Sequence, residues 1–375
     1  VESATLARRA GNLEKAQDAF RALSPADQAQ LVRELVETRR TEITRAYVDV
    51  ISVSAGYRLR RDEAGVRNVE PEACVILVVK KKWAETVPGP AERRVPTRFF
   101  AFATVDGERV LCAVPTDVED SSRLARIRPQ GPIEAAAPDK TPLTIPGAVA
   151  CAIRRDGDDA VYIIGCRHVF GMALILDAAG HYAAEIRLFG RDTVVARATP
   201  LAGPLVNGLE FSFDSHLARV VDPGSLEAAL AGVHPETRAQ NWGDLRPGVD
   251  YWIITSHGRV RARFAAIHTD PIRYTSDLHD VRHFQLARFL LPDGPTVAGD
   301  SGSPVMTETG MLLGMHIAGD AADTSLMIPA WQLFHAPWYG ATGESWDLWR
   351  PRSRRPTSTT ERRRRLPGAG RQPAL

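Results

Sequence analysis

Gly299-Asp300-Ser301-Gly302-Ser303-Pro304 is the stretch of this 375-residue chain on which its reading turns. A serine hydroxyl is a weak nucleophile until a base takes its proton, and glycines beside it let backbone N–H groups approach a reacting carbonyl. The hexapeptide therefore calls for a histidine and a carboxylate elsewhere in the chain. Upstream, Tyr162-Ile163-Ile164-Gly165-Cys166-Arg167-His168-Val169 places a histidine just past an apolar strand, where it is held rigidly yet faces a cleft, as a general base near neutral pH requires. Between them, Leu209-Glu210-Phe211-Ser212-Phe213-Asp214-Ser215-His216-Leu217 sets an aspartate among apolar residues. An acid in such a place ordinarily caps a turn, and it equally serves to orient a histidine ring through a charge-assisted hydrogen bond.

The order His168, Asp214, Ser301 resembles that of the trypsin-like serine endopeptidases, and differs from the subtilisin and α/β-hydrolase orders. The resemblance covers roughly residues 146–340 and includes Gly314-Met315-His316-Ile317-Ala318-Gly319 and Leu326-Met327-Ile328-Pro329. It implies a chymotrypsin-like double antiparallel β-barrel, with Ser301 as nucleophile, His168 as general base and acid, and Asp214 fixing the ring. It also implies an oxyanion hole built from the N–H groups of Gly299 and Ser301. Two departures stand out: Cys166-Arg167 replaces the usual small residues before the histidine, and His216 follows the aspartate where a small residue is usual. Asp293 is the alternative carboxylate.

Thr296 lies five residues before the serine and His316 fifteen after it. These offsets are similar to those of glutamyl endopeptidases and viral picornain-like proteases, and imply a primary pocket of Thr296, His316, Ile317 and Gly319 that takes Glu or Gln. A buried Thr hydroxyl and imidazole N–H satisfy such a side chain where an apolar pocket leaves it unpaired. The competing reading of His316 is a core histidine satisfied within the protein. Pro295 stands six residues before Ser301, where an acid would signal trypsin-like basic specificity.

The remaining chain divides by composition. Residues 1–46 have helical periodicity interrupted at Ser24-Pro25-Ala26-Asp27, a helix start signal, and predict a helical hairpin. Residues 47–120 turn to β-branched runs, with Asp106-Gly107 between two of them as a hairpin signal, and predict a small α/β accessory domain. This part loosely resembles a small domain preceding the peptidase module in plant narrow-leaf-type and related bacterial peptidases. Residues 121–142 read as a linker, and 143–348 as the peptidase domain, mainly β, its two barrels divided near 222–248. Residues 349–375 read as a disordered Arg-rich tail.

Composition narrows the function classes. Residues 350–375 hold nine Arg against one Glu, so the formal net charge of +2 hides an acidic body and a basic tail. That tail is the one segment where charge alone would bind nucleic acid; Lys80-Lys81-Lys82 reads as a solvated strand end. No apolar run reaches the ~20 residues of a membrane span, and charges occupy the N-terminus where a signal peptide is apolar. Cys74, Cys112, Cys151 and Cys166 form neither a disulfide framework nor a metal-ligand pattern, which points to a cytoplasmic setting. His279, Asp280 and His283 lack a nearby third ligand partner for zinc, so no metal is expected, and no cofactor. The partners expected are a protein or peptide substrate and a regulatory protein at the N-terminal region, with no membrane. The alternative function is a catalytically inactive or latent protease-fold protein acting as an interaction module.

Overall fold

The computed structural model describes residues 13–47, 49–61, 67–79, 95–105, 107–120, 133–136, 144–170, 175–176, 182–199, 214–268, 272–275, 280–283, 285–297, 299–319, 323–339 and 345–349. Lys80-Lys81-Lys82, His279 and the Arg-rich tail from 350 onward lie outside them. Helices α1 (Leu13–Ala22) and α2 (Pro25–Ala46) follow one another in the segment read as a helical hairpin. Ser24 caps α2, its hydroxyl accepting the Asp27 N–H at 3.2 Å, and Pro25 occupies the first turn, where a missing N–H costs nothing. Leu31, Val32, Leu35, Val36 and Ile43 recur at helical spacing and bury one face of α2. That face covers β1 (Val50–Arg61) and β2 (Arg67–Val79), which pair antiparallel. Beyond them, β3 (Arg98–Val105) and β4 (Glu108–Asp120) make the hairpin signalled by Asp106-Gly107, and β4 runs parallel to β2.

An eight-stranded antiparallel sheet follows. It holds β5 (Ile133–Ala136), β6 (Thr144–Gly147), β7 (Cys151–Arg155) and β8 (Val161–Gly165), then, after a short hairpin of β9 (Ile175–Leu176) and β10 (Tyr182–Ala183), β11 (Glu185–Leu188), β12 (Val194–Ala198) and β13 (His216–Val220). β5 lies within the stretch read as linker. Its alanines carry no strand signature of their own, and it is held by neighbours on both sides, β11 and β6.

The C-terminal strands close on themselves. After β14 (Thr237–Arg238) come β15 (Asp250–Thr255), β16 (Gly258–His268), a hairpin of β17 (Ile272–Thr275) and β18 (Asp280–His283), then β19 (Leu286–Leu290), β20 (Pro304–Met306), β21 (Met311–Gly319) and β22 (Thr324–Pro329). The order β15-β20-β21-β22-β19-β16, with β16 returning to β15, is a closed six-stranded antiparallel barrel. Tyr251, Phe264 and Phe289 meet edge to face within it. A last strand, β23 (Trp346–Leu348), crosses back to pair β7 of the other sheet. No described helix is long and apolar enough to cross a membrane.

The N-terminal strands continue the barrel's sheet, because β1 pairs β16 with Ala55 opposite Ile267 and Gly56 opposite Ala266. Glu119 of β4 and Arg288 of β19 form a two-pronged ion pair over the same join. Gly56 makes the approach possible: a Cβ there would lie 2.5 Å from Ile76 Cδ1, 2.6 Å from Ala266 Cβ and 2.8 Å from the Ala265 carbonyl. Gly56→Ala is therefore expected to overpack the join and destabilise the protein by about 1–3 kcal/mol. Urea unfolding measures it, and an unchanged midpoint would show that the close approach is not structural.

Candidate active site

Two turns from different sheets meet at the site. Ala148, just after β6, donates its N–H to the Ser301 carbonyl at 2.8 Å, and a Cβ on Gly302 would sit 2.0 Å from the Ala148 carbonyl oxygen. Gly302 has φ +101°, so it is required both by conformation and by the lack of space. This seam brings the nucleophile turn of the barrel against the histidine side of the eight-stranded sheet.

His168 sits on a single helical turn, Arg167–Phe170, directly after β8. The turn folds back tightly because Gly165 leaves room for the Phe170 ring, whose nearest atom would be 2.3 Å from a Cβ. Asp214 precedes β13 and is wholly buried. Its carboxylate accepts the His168 backbone N–H at 3.0 Å and, with the other oxygen, the ring Nδ1–H at 2.7 Å. Backbone and ring are thus held by one group, and Nδ1 is committed to donation, leaving Nε2 as the basic nitrogen. Burial works against the charged imidazolium, but the Asp214 charge and hydrogen bond outweigh it and raise His168 above the usual histidine value.

The nucleophile turn is braced from inside. Asp300 is buried, accepts the Val297 N–H at 2.8 Å through its side chain, and donates its own N–H to the Val297 carbonyl at 3.1 Å. Gly299 at φ +103° lets the chain turn so that successive N–H groups converge. Among the described residues, no acceptor takes the N–H of Gly299 or of Ser301. The Ser301 hydroxyl donates to the Ile317 carbonyl at 3.1 Å.

Beside this turn lies a second cluster. Thr296 and His316 are both buried, and a Cβ on Gly319 would stand 2.7 Å from the Thr296 hydroxyl and 3.8 Å from His316 Cε1. Glycine at 319 therefore leaves open the space between the two side chains. Behind the ring, His316 Nδ1 lies 2.7 Å from the hydroxyl of Ser325, which is fully buried. Burial, and next the nearby His168 charge, push His316 down to about 3. Burial thus favours the neutral ring.

Other residues singled out from sequence have their own partners. His216 donates Nε2–H to the Thr199 carbonyl at 2.9 Å and is pushed down to about 4 by burial, so it does not compete for Asp214. Asp293 pairs with Arg261 at 2.5 Å on the barrel surface, away from His168. Cys166, His168 and Asp214 bring ligand-type atoms within 4.8 Å of one another. The Cys166 thiol, however, points to the His316 carbonyl at 3.6 Å, and burial then the Asp214 charge raise it far above its usual value. In this arrangement it is held as the protonated thiol. Sequence reasoning missed Ser325 and the role of Asp300; the first has no local signature, and the second was in the opening hexapeptide without a task.

A closed antiparallel barrel, a second antiparallel sheet and a His–Asp pair set against a glycine-flanked serine turn define a mainly β, chymotrypsin-like architecture. No protein-family model matches the chain, and no curated protein does. Solved structures do resemble it. The active form of the Rv3671c protease from M. tuberculosis is 17% identical over 60% of this chain and 95% of its own, with a TM-score of 0.33. The HRV-C 3C protein with rupintrivir is 10% identical over 55% of this chain and 94% of its own, at 0.28. Deg5 is 16% identical over 50% of this chain and 85% of its own, also at 0.28.

Proposed function

We propose that the chain is a serine endopeptidase in which Ser301, His168 and Asp214 act as a triad. The observation that carries this reading is the double hold of Asp214 on His168, which commits Nδ1 to donation and leaves Nε2 as the basic nitrogen of the ring. In the reaction, Ser301 Oγ turns from the Ile317 carbonyl, attacks the scissile carbonyl carbon and passes its proton to His168 Nε2. The carbonyl oxygen takes the negative charge and is held by the Gly299 and Ser301 N–H groups, each worth about 3 kcal/mol in the transition state. Collapse breaks the C–N bond as the imidazolium protonates the leaving amine. Water then repeats the sequence on the acyl-enzyme, returning the proton to Ser301. A latent state is the second reading, favoured by the Ser301 hydroxyl donating to the Ile317 carbonyl.

Thr296, His316, Ile317 and Gly319 are read as the primary pocket. The Ser325 hydroxyl is fully buried and, among the described residues, bonds only to His316 Nδ1. Were Nδ1–H the donor, the serine proton would be left buried and unpaired; donation from serine to Nδ1 leaves nothing unmet. His316 then presents Nε2–H to the pocket, a neutral donor suited to a side-chain carbonyl. With no positive charge there, a Glu carboxylate is desolvated without compensation, so the amide of Gln is preferred.

Three outcomes follow. Profiling on an unbiased peptide mixture should give cleavage lost in Ser301→Ala and reduced about 10⁴-fold in Asp214→Asn, which offers the wrong tautomer to His168; equal cleavage by Ser301→Ala would reject the mechanism. Because His168 must be neutral to act and its imidazolium is favoured by Asp214, kcat/KM should climb with pH through a midpoint above the ordinary histidine value. A midpoint below that value contradicts the paired geometry. Finally, the ratio of cleavage after Gln to cleavage after Glu should exceed about tenfold at neutral pH and shrink on acidification as Glu protonates. A preference for Arg, Lys or a large apolar residue would dismiss the pocket.

A further inference from the structure

The Asp300 carboxylate braces the nucleophile turn with one oxygen, and the other is buried with no hydrogen bond among the described residues. Such an oxygen carries a desolvation cost unless a counter-charge or donor faces it. The group that faces it is His257, whose Nδ1 lies 3.6 Å from Asp300 Oδ1. We propose that His257 is a positioning residue for the oxyanion turn, holding the Asp300 carboxylate so that the Gly299 and Ser301 N–H groups stay aimed at the reacting carbonyl.

The placement of His257 supports this role. It occupies the two-residue tip of the β15–β16 hairpin, where Thr255 pairs with Gly258. The Thr255 hydroxyl ties the tip together, donating to the Gly258 carbonyl at 2.8 Å and accepting the His257 N–H at 3.4 Å. β15 also pairs β20, the strand that leaves the nucleophile turn, through Trp252 with Met306 and Ile253 with Val305. The tip is therefore registered to the turn on which it acts. His257 is about half exposed, at 46%, so it covers the buried carboxylate on one side and meets solvent on the other. Burial raises Asp300 above the usual carboxylate range, while the Val297 N–H and then the His257 charge pull it back.

This inference rests on the peptidase reading, and the test separates the two. On the peptide selected by profiling, His257→Ala should lower kcat about tenfold with KM little changed, because the hole acts on charge present only in the transition state. His257→Lys, which places a cation at the hairpin tip, should recover most of that loss. In an Asp300→Asn background, His257→Ala should add nothing, since the carboxylate on which it acts is gone. An unchanged kcat in His257→Ala, an equal loss in both backgrounds, or no recovery by lysine would overturn the proposal. If melting shows Asp300→Asn to be unfolded, the alanine and lysine variants decide alone. A wild-type protein that hydrolyses no peptide overturns the peptidase reading, and this proposal with it.

Discussion

Asp214 is a fully buried carboxylate that accepts two hydrogen bonds from one residue, the backbone N–H and the ring Nδ1–H of His168. A buried charge is tolerable only when its lone pairs are met, and here His168 meets them. The constraint reaches outward. His168 can be held this way only because Gly165 admits Phe170 beneath the turn, and because β13 runs antiparallel to β8, with His216 opposite Gly165. The carboxylate thus depends on the register of two strands far apart in sequence, and the base depends on the carboxylate.

The second half of the site is a property of backbone rather than of side chains. Gly299 and Gly302 take positive φ, Asp300 ties the turn to Val297, and Ser301 is pinned through its carbonyl to Ala148 of the other sheet. No residue larger than glycine fits at 302, because Ala148 stands where its Cβ would go. The hexapeptide is therefore a description of a seam as much as of a nucleophile. Beside it, Gly319 leaves space between Thr296 and His316, and the Ser325 hydroxyl lies 2.7 Å from His316 Nδ1.

Much of this was legible in the chain because it depends on local chemistry. Ser24-Pro25 started a helix, Asp106-Gly107 turned a hairpin, and the glycines about Ser301 announced a backbone under constraint. His168 and Asp214 were legible by order and by their apolar settings. What was hidden is long-range. Nothing in residues 133–136 speaks for a strand until β11 and β6 supply partners, and nothing near Gly56 shows that β16 will lie against it. Ser325 and His257 stayed silent for the same reason: each gains meaning only from a side chain brought to it by another strand or turn.

The central claim is that His168, oriented by Asp214, makes Ser301 a nucleophile. Its most direct test is intact-mass spectrometry after treatment with a fluorophosphonate, which bonds to an activated serine with loss of fluoride. The account predicts one adduct per chain, mapped to Ser301 and absent from His168→Ala. An unmodified wild-type mass under excess reagent, or an adduct that survives in His168→Ala, would contradict it.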